Sequence, residues 1–337
     1  MKVAVVGASG YAGSELLRLM AAHPHLEVVL VTGESAAGKA VGQHVPSLSA
    51  LYPTSVYAPT QEVLEADIDA AFIALPHGAS QQIVPALLAR DVMVVDLGAD
   101  YRLSNADDYE QWYGHAHLNP ELLGTAVYGL VERHRATLTS ANFIAVPGCY
   151  PTASSLALGP FLDAGLVGSQ GVIVNALSGV SGAGRSPSDR LHFPRLAGNA
   201  EAYGLLNHRH TVEIAREIGA ELLFTPHLVP VARGMLVTAY APIVGELTTE
   251  AAMAHLRQTY ASDRGVVVTD EPPTLKDPVG SNLAFVSARV DTRTKWLVAM
   301  SSIDNLIKGA AGQAIQAFNV AQGWDEFLGL PLAGLTP

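Results

Sequence analysis

Cys149 is the one cysteine in a chain of 337 residues, so it forms no disulfide within the chain and serves either packing or reactivity. It stands in Val146-Pro147-Gly148-Cys149-Tyr150-Pro151-Thr152. A strand-like run over 143–146 precedes it, and residues 152–162 follow with helical apolar spacing. A sulfur placed there meets a helix N-terminus, where unpaired N–H groups and the helix dipole favour thiolate over thiol. A buried cysteine acting as a small hydrophobe is the ordinary alternative. The proline and glycine punctuation on both sides of Cys149 favours a nucleophile.

Three further clusters could complete such a reaction. Ser178-Gly179-Val180-Ser181-Gly182-Ala183-Gly184-Arg185 follows a strand over 171–177. Small residues at that density let backbone N–H groups face an anion, and Arg185 adds a bidentate fork; a flexible linker carrying an arginine is the alternative. Asn207-His208-Arg209-His210-Thr211-Val212-Glu213 leads into a helix ending at 218. It offers a proton-transfer histidine, an arginine phosphate clamp and an orienting carboxylate. Zinc would need more ligands than His208, His210 and Cys149 supply, so no metal is expected. Asp96-Leu97-Gly98-Ala99-Asp100-Tyr101-Arg102 closes a strand, and Arg102 serves a substrate anion or pairs with a neighbouring carboxylate.

Positioning these groups falls to a dinucleotide-type half. Lys2-Val3-Ala4-Val5-Val6 is a buried strand, followed by Gly7-Ala8-Ser9-Gly10-Tyr11-Ala12-Gly13 and a helix pattern. Gly7 allows the tight turn, Gly10 the approach of a pyrophosphate, and Gly13 the packing of helix on strand, with the anion at the helix start. The spacing is G-x-x-G-x-x-G where the standard fingerprint is G-x-G-x-x-G; a glycine-rich turn without a ligand is the alternative. Strands over 27–32, 70–75 and 92–96 alternate with helix-like stretches near 61–66 and 79–89, which implies a doubly wound parallel sheet with ligands at the strand C-termini. Expected cofactor contacts are Gly7, Ser9, Gly10, Tyr11 and Gly13 in the loop, and Leu75, Pro76, His77 and Gly78 on the nicotinamide side. His77 could equally cap a helix or face solvent. Beyond the second strand, Thr32 is a further expected cofactor contact, and it leads to Glu34, which suits a ribose diol and NAD, and to Ser35 and Lys39, which suit a 2′-phosphate and NADP.

Composition limits the partners. Apolar residues make up 49 % and charged residues 15 %, enough apolar surface for two ordinary domains. A net charge of −11 without a basic cluster argues against nucleic acid and anionic membranes. No apolar run is long enough to span a bilayer. With no leader pattern and a single cysteine, the expected location is the cytoplasm. A dinucleotide fold, a thiol at a helix start, a histidine and anion-holding elements together suit one chemistry. Cys149 attacks an acyl phosphate, phosphate leaves, and the resulting thioester, a far better hydride acceptor than a carboxylate, is reduced to an aldehyde.

GASGYAG, ALPHG, DLGADYRL, VPGCYPT, SGVSGAGR, HRHTVEI, TPHLVPVARGM and DNLIKGAAGQAIQ follow one another along almost the whole chain. In that order they resemble the N-acetyl-γ-glutamyl-phosphate reductases, an arginine-biosynthesis family of the aspartate-semialdehyde dehydrogenase-like superfamily. The resemblance implies an α/β protein: a Rossmann-type domain over 1–148 and 304–337, and an α+β catalytic and oligomerisation domain over 149–303. It implies NADPH-dependent reduction of N-acetyl-glutamyl 5-phosphate to N-acetyl-glutamate 5-semialdehyde and phosphate, with Cys149 as nucleophile. Acid/base work falls in the 208–213 segment, on His210 in preference to His208, with Glu213 beside them. Arg102, Ser181, Arg185 and Arg209 are the implied substrate contacts; Ser178, Gly179, Gly182 and Asn305 are further cofactor contacts, with Lys308 and Gly309 near Asn305. Members are homo-oligomers, dimers or tetramers, joined through the sheet of the second domain. Glu34 departs from what a 2′-phosphate site needs. A related branch acts on aminoadipyl phosphate borne by a small acidic carrier protein, but Tyr150-Pro151-Thr152 and SGVSGAGR keep the arginine-branch form. A carbonyl reductase without a covalent step, and a non-catalytic dinucleotide sensor, are the alternatives from other classes.

Overall fold

The computed structural model describes residues 1–335. Thr336 and Pro337, which fall within the expected first domain, lie outside the described residues. The chain divides into two compact units, Met1–Pro147 with Ala310–Leu330, and Gly148–Gly309 with the stretch from Pro331 on. The expected edges at 304 and 337 therefore move. Residues 304–309 stay with the second unit because Asp304 and Asn305 bond to Gly280, Gly234 and Ser181 there. The stretch after Leu330 returns to it because Asn282 N–H donates to Pro331 O and Leu335 N–H to Val279 O.

In the first unit, β1 (Lys2–Val6), β2 (Glu27–Val31), β3 (Ala70–Ile73), β4 (Met93–Asp96), β5 (Val127–Tyr128) and β6 (Phe143–Ala145) form one sheet in the order β2-β1-β3-β4-β6-β5. Every pairing is parallel. A parallel sheet is covered on both faces, so its strands are continuous apolar runs. β3 and β4 are buried at every position. Helices Tyr11–Met20, Val84–Leu88 and Val131–Leu138 provide cover, joined by the returning helix Gly312–Ala321. Phe72 of β3 meets Phe318 of that last helix at a ring-centroid distance of 5.1 Å, which ties the C-terminal return to the N-terminal sheet.

The second unit holds β7 (Val172–Gly179), β8 (Glu201–Ala202), β9 (Leu222–Val229), β10 (Met235–Pro242), β11 (Val266–Val268), β12 (Ala284–Asp291) and β13 (Trp296–Ile303). Their order is β11-β12-β13-β10-β7-β9-β8. The sheet is mixed: β7–β9 and β11–β12 pair in parallel, and the others antiparallel. Burial alternates strictly along β10, as a sheet with one face under helices requires. Those helices are Cys149–Asp163, His210–Ile218 and Thr249–Thr259.

The Cys149–Asp163 helix begins three residues earlier than its apolar spacing predicts. Pro151 falls in its first turn, where a missing N–H costs nothing because no intrahelical acceptor exists there. Pro160 lies deeper and removes the donor that would have reached the Leu156 carbonyl four residues back. Tyr260 fills the gap: its hydroxyl donates to Leu156 O at 2.7 Å. His255 Nε2 lies 2.9 Å from Pro160 O.

Candidate active site

The glycine loop of the first unit has the shape an anion cradle needs. Gly7 has φ +79°, and a Cβ there would lie 2.5 Å from Ala74 O; a Cβ on Gly13 would lie 2.4 Å from Gly7 O. Only glycine permits either approach. Gly10 is the N-cap of Tyr11–Met20 with no side-chain cap, and a Cβ there would meet only Gly7 O, at 3.5 Å. The first-turn N–H groups of that helix have no intrahelical acceptor and no side-chain cap, which fits a phosphate. Ser9 is half-buried and Tyr11 exposed. Thr32 stands beneath the loop. It is fully buried, its Oγ1 accepts the Gly7 N–H at 3.2 Å, and its carbonyl accepts the Ala8 N–H at 2.7 Å. It holds the loop from behind. His44 Nε2 supports the same loop, 3.1 Å from Ser9 O. Glu34, Ser35 and Lys39 are exposed, and Glu34 Oε2 accepts the Thr60 N–H at 3.2 Å.

Leu75-Pro76-His77-Gly78 follows β3, with Pro76 and His77 exposed and the His77 ring 5.9 Å from that of Tyr113. A residue that motif reading passed over anchors this turn. The buried Asp100 carboxylate accepts the Gly78 N–H at 2.7 and 2.8 Å, the Ser80 hydroxyl at 2.7 Å and the Tyr109 hydroxyl at 2.9 Å. Its place in the DLGADYRL segment was the available signal. Burial, and then the Asp100 charge, push Asp96 up to about 7. Arg102 is half-buried and its Nη2 donates to Leu97 O at 2.8 Å; its charge also acts on Asp96.

In the second unit Cys149 is the first residue of its helix, with Gly148 as N-cap and no side-chain cap. Cys149 is half-buried. Glu213 arrives from 65 residues away: its Oε1 accepts the Gly148 N–H at 2.8 Å. Its Oε2 lies 3.9 Å from His210 Nε2, and the Glu213 side chain is 2 % exposed. One buried carboxylate thus touches both the start of the cysteine helix and a histidine. His208 differs from His210. Its Nδ1 accepts the His210 backbone N–H at 3.2 Å, and its ring lies edge-on to Tyr150, Tyr203 and Phe224. Burial, and then the Arg209 charge, push His208 down to about 4, so it is neutral at pH 7. Tyr150 and Tyr203 share a hydroxyl contact at 2.9 Å; burial raises both, Tyr203 to about 12. Arg209 is half-buried at the N-cap of His210–Ile218, and Arg185 is exposed.

The Ser178–Arg185 segment is more committed than its composition suggested. Gly179, Val180 and Ser181 N–H groups donate to Gly234, Val231 and Ala232 carbonyls at 2.9, 2.9 and 3.2 Å. Those donors are not available to an anion, because a neighbouring loop had to satisfy them. Ser178 and Gly179 are buried here, while Gly182 is exposed. Asn305 joins the two loops: Nδ2 donates to Ser181 Oγ at 2.9 Å, and Oδ1 accepts the Gly234 N–H at 2.9 Å. Among the described residues, no three His, Cys, Asp or Glu side chains are grouped to hold a metal ion.

A parallel dinucleotide-type sheet, followed by a mixed-sheet unit that opens on a cysteine at a helix start, is the organisation of semialdehyde dehydrogenases. Residues 2–141 match the semialdehyde dehydrogenase NAD binding domain, and 149–305 match the semialdehyde dehydrogenase dimerisation domain. Aspartate semialdehyde dehydrogenase II from Vibrio cholerae shares the fold, with a TM-score of 0.72 at 17 % identity over 96 % of this chain and 98 % of that one. N-acetyl-gamma-glutamyl-phosphate reductase from Desulforamulus reducens is 42 % identical over 345 residues, covering 100 % of both chains. Its counterpart from Symbiobacterium thermophilum is 43 % identical over 99 % of this chain and 98 % of that one. The chain belongs to the N-acetyl-gamma-glutamyl-phosphate reductase family.

Proposed function

We propose that this protein reduces N-acetyl-glutamyl 5-phosphate to N-acetyl-glutamate 5-semialdehyde and phosphate with NADPH, as a step of arginine biosynthesis in the cytoplasm. The observation that carries the reading is the double engagement of buried Glu213, on the Gly148 N–H and opposite His210 Nε2. That engagement supports a nucleophile at the helix start and a proton carrier sharing one carboxylate. The reductase name of the full-length relatives supports the substrate.

Cys149 Sγ attacks the acyl carbon; the C–S bond forms, the bond from that carbon to the phosphate oxygen breaks, and phosphate departs. Gly7, Ser9, Gly10, Tyr11 and Gly13 would hold the dinucleotide, with Leu75, Pro76, His77 and Gly78 at its nicotinamide end, and it would supply the hydride. His210 gives its proton to the thiohemiacetal oxygen as that oxygen gains charge, and takes it back as the C–S bond breaks and Cys149 leaves as thiolate. Glu213 favours the protonated histidine before the proton is given and after it is taken back. His208, kept neutral, donates or accepts hydrogen bonds without carrying charge. Arg102, Ser181, Arg185 and Arg209 are assigned to the substrate carboxylate and phosphate. Ser35 and Lys39 are assigned to a 2′-phosphate, and NADP is preferred because Glu34 is drawn onto the Thr60 N–H. The dimerisation domain matched over 149–305 supports a homo-oligomer, dimer or tetramer.

The test is NADP⁺ reduction by purified protein with N-acetylglutamate semialdehyde, with and without inorganic phosphate. Phosphate-dependent turnover, lost in Cys149→Ser while NADPH still binds, is the expected result. Turnover independent of phosphate overturns the acyl-phosphate assignment, and substantial activity in Cys149→Ser overturns the thioester.

A further inference from the structure

The chain leaves β13 at Ile303 and makes an unusual turn before the last helix. Gly309 N–H donates to Asp304 O at 2.9 Å, five residues back, and residues Ile307–Ala311 form a π-helical turn. Such a turn has poorer packing than an α-helical one and is kept where it does something. The side chain at its head is committed entirely to holding it. Asp304 is fully buried; Oδ1 accepts the Leu306 and Ile307 N–H groups at 2.8 and 3.1 Å, and Oδ2 accepts the Gly280 N–H at 2.9 Å. Arg233 Nη1 lies 3.5 Å from Oδ2 and balances the charge. With its donors arranged this way the carboxylate is no proton carrier; it is a bolt.

What the turn presents is Gly309. A Cβ at Gly309 would lie 2.7 Å from Cys149 Cβ and 3.3 Å from Cys149 Cα. The backbone of the turn is thus in direct contact with the residue that carries the thiol. Gly309 is not among the glycines with positive φ, so conformational freedom does not explain it. Alanine would suit the backbone better. Glycine is required chiefly by the closeness of Cys149, with the Asp304 carbonyl oxygen 3.3 Å from the same position.

We propose that Asp304 and Gly309 are positioning residues for the nucleophile: the turn braces the Cα–Cβ bond of Cys149 and thereby sets where Sγ stands relative to the N–H groups of its helix. The inference rests on Cys149 being the nucleophile.

Because Cys149 is the only cysteine, alkylation by iodoacetamide reads this one thiol without any substrate. The rate constant of alkylation across pH 6–9, kcat and KM for NADPH, and the melting temperature are measured for the wild type, Gly309→Ala and Asp304→Asn. For Gly309→Ala the expected result is an alkylation rate at pH 7 and a kcat both lower by about tenfold or more. KM for NADPH should stay within about twofold, and melting close to the wild type. Asp304→Asn, which turns an amide donor toward Gly280 and Arg233, should shift both rates the same way by a smaller factor. Alkylation within about twofold of the wild type in both variants overturns the proposal, whatever happens to melting, since a merely structural role lowers stability without altering thiol reactivity. If Gly309→Ala does not fold, Asp304→Asn decides by the same criterion. Should the protein show no acyl-phosphate chemistry, the alkylation rates still decide, so the two failures are distinguishable.

Discussion

Glu213→Gln separates the two things one carboxylate does. Oε1 holds the Gly148 N–H at 2.8 Å, and Oε2 lies 3.9 Å from His210 Nε2. Glutamine keeps an oxygen for Gly148 and removes the charge opposite the histidine. Two unit charges about 4 Å apart attract by about 4 kcal/mol at an effective dielectric near 20. The His210 side chain is 13 % exposed, and solvent reaching it weakens the attraction. Taking half, the protonated histidine loses about 2 kcal/mol, or about 30-fold in the step that needs it. Glu213→Ala loses the same charge and also strands the buried Gly148 N–H, a further cost of about 1–3 kcal/mol in stability. The assay is phosphate-dependent NADPH formation, with melting temperature alongside. Both variants should be slow, and only the alanine variant should melt markedly lower. A kcat for Glu213→Gln within about threefold of the wild type refutes the charge argument. Equal melting losses in the two variants refute the hydrogen-bond argument.

Lys39→Ala should raise KM for NADPH by about tenfold and leave that for NADH nearly unchanged, the loss expected for one charge-assisted contact to phosphate; equal effects on both cofactors would remove Lys39 from the 2′-phosphate site. Tyr260→Phe should cost about 1–3 kcal/mol, because the buried Leu156 carbonyl loses the donor that stands in for the one Pro160 lacks; unchanged chemical denaturation would show that another group reaches the carbonyl. Asp96, raised from 3.8 to about 7, holds a proton in the folded state that the unfolded chain releases. Its contribution to stability is therefore complete below about pH 4 and lost as pH rises through about 7. Asp96→Asn should thus shrink the drop in melting temperature between pH 5 and pH 8, and an unaltered drop would show that Asp96 does not titrate in that window. His208, held down to about 4, should add no limb to the kcat profile between pH 5.5 and 9. His210→Gln should remove a limb and His208→Gln should not; the reverse pattern would exchange their roles.

Much of the first unit was legible from local pattern. β1 occupies the expected residues 2–6, and Gly7 and Gly13 sit where only glycine fits. Their packing partners lie within one strand-loop-helix unit or on the next strand, so periodicity and residue type carried the information. Element ends were less legible. β3 stops at Ile73 and β7 runs on to Gly179, because pairing with neighbouring strands sets where a strand ends. The small residues of 178–185 suggested free backbone donors, yet the 231–234 loop takes three of them. Nothing within the segment announces that partner.

By itself the sequence determined the class of sheet, the order of the motifs and the placing of Cys149 at a helix start, because each follows from residues a few positions apart. Only the tertiary structure decided which groups surround those motifs. Glu213 reaches Gly148 across 65 residues, Tyr260 reaches Leu156 across 104, and Asp100 reaches Gly78 across 22. It also decided that residues 304–309 belong with the cysteine and not with the glycine loop. The physical reason is common to all four. A buried donor or acceptor must be satisfied by whatever group the packing brings within about 3 Å. That choice depends on how helices and sheets stack, which no local spacing encodes.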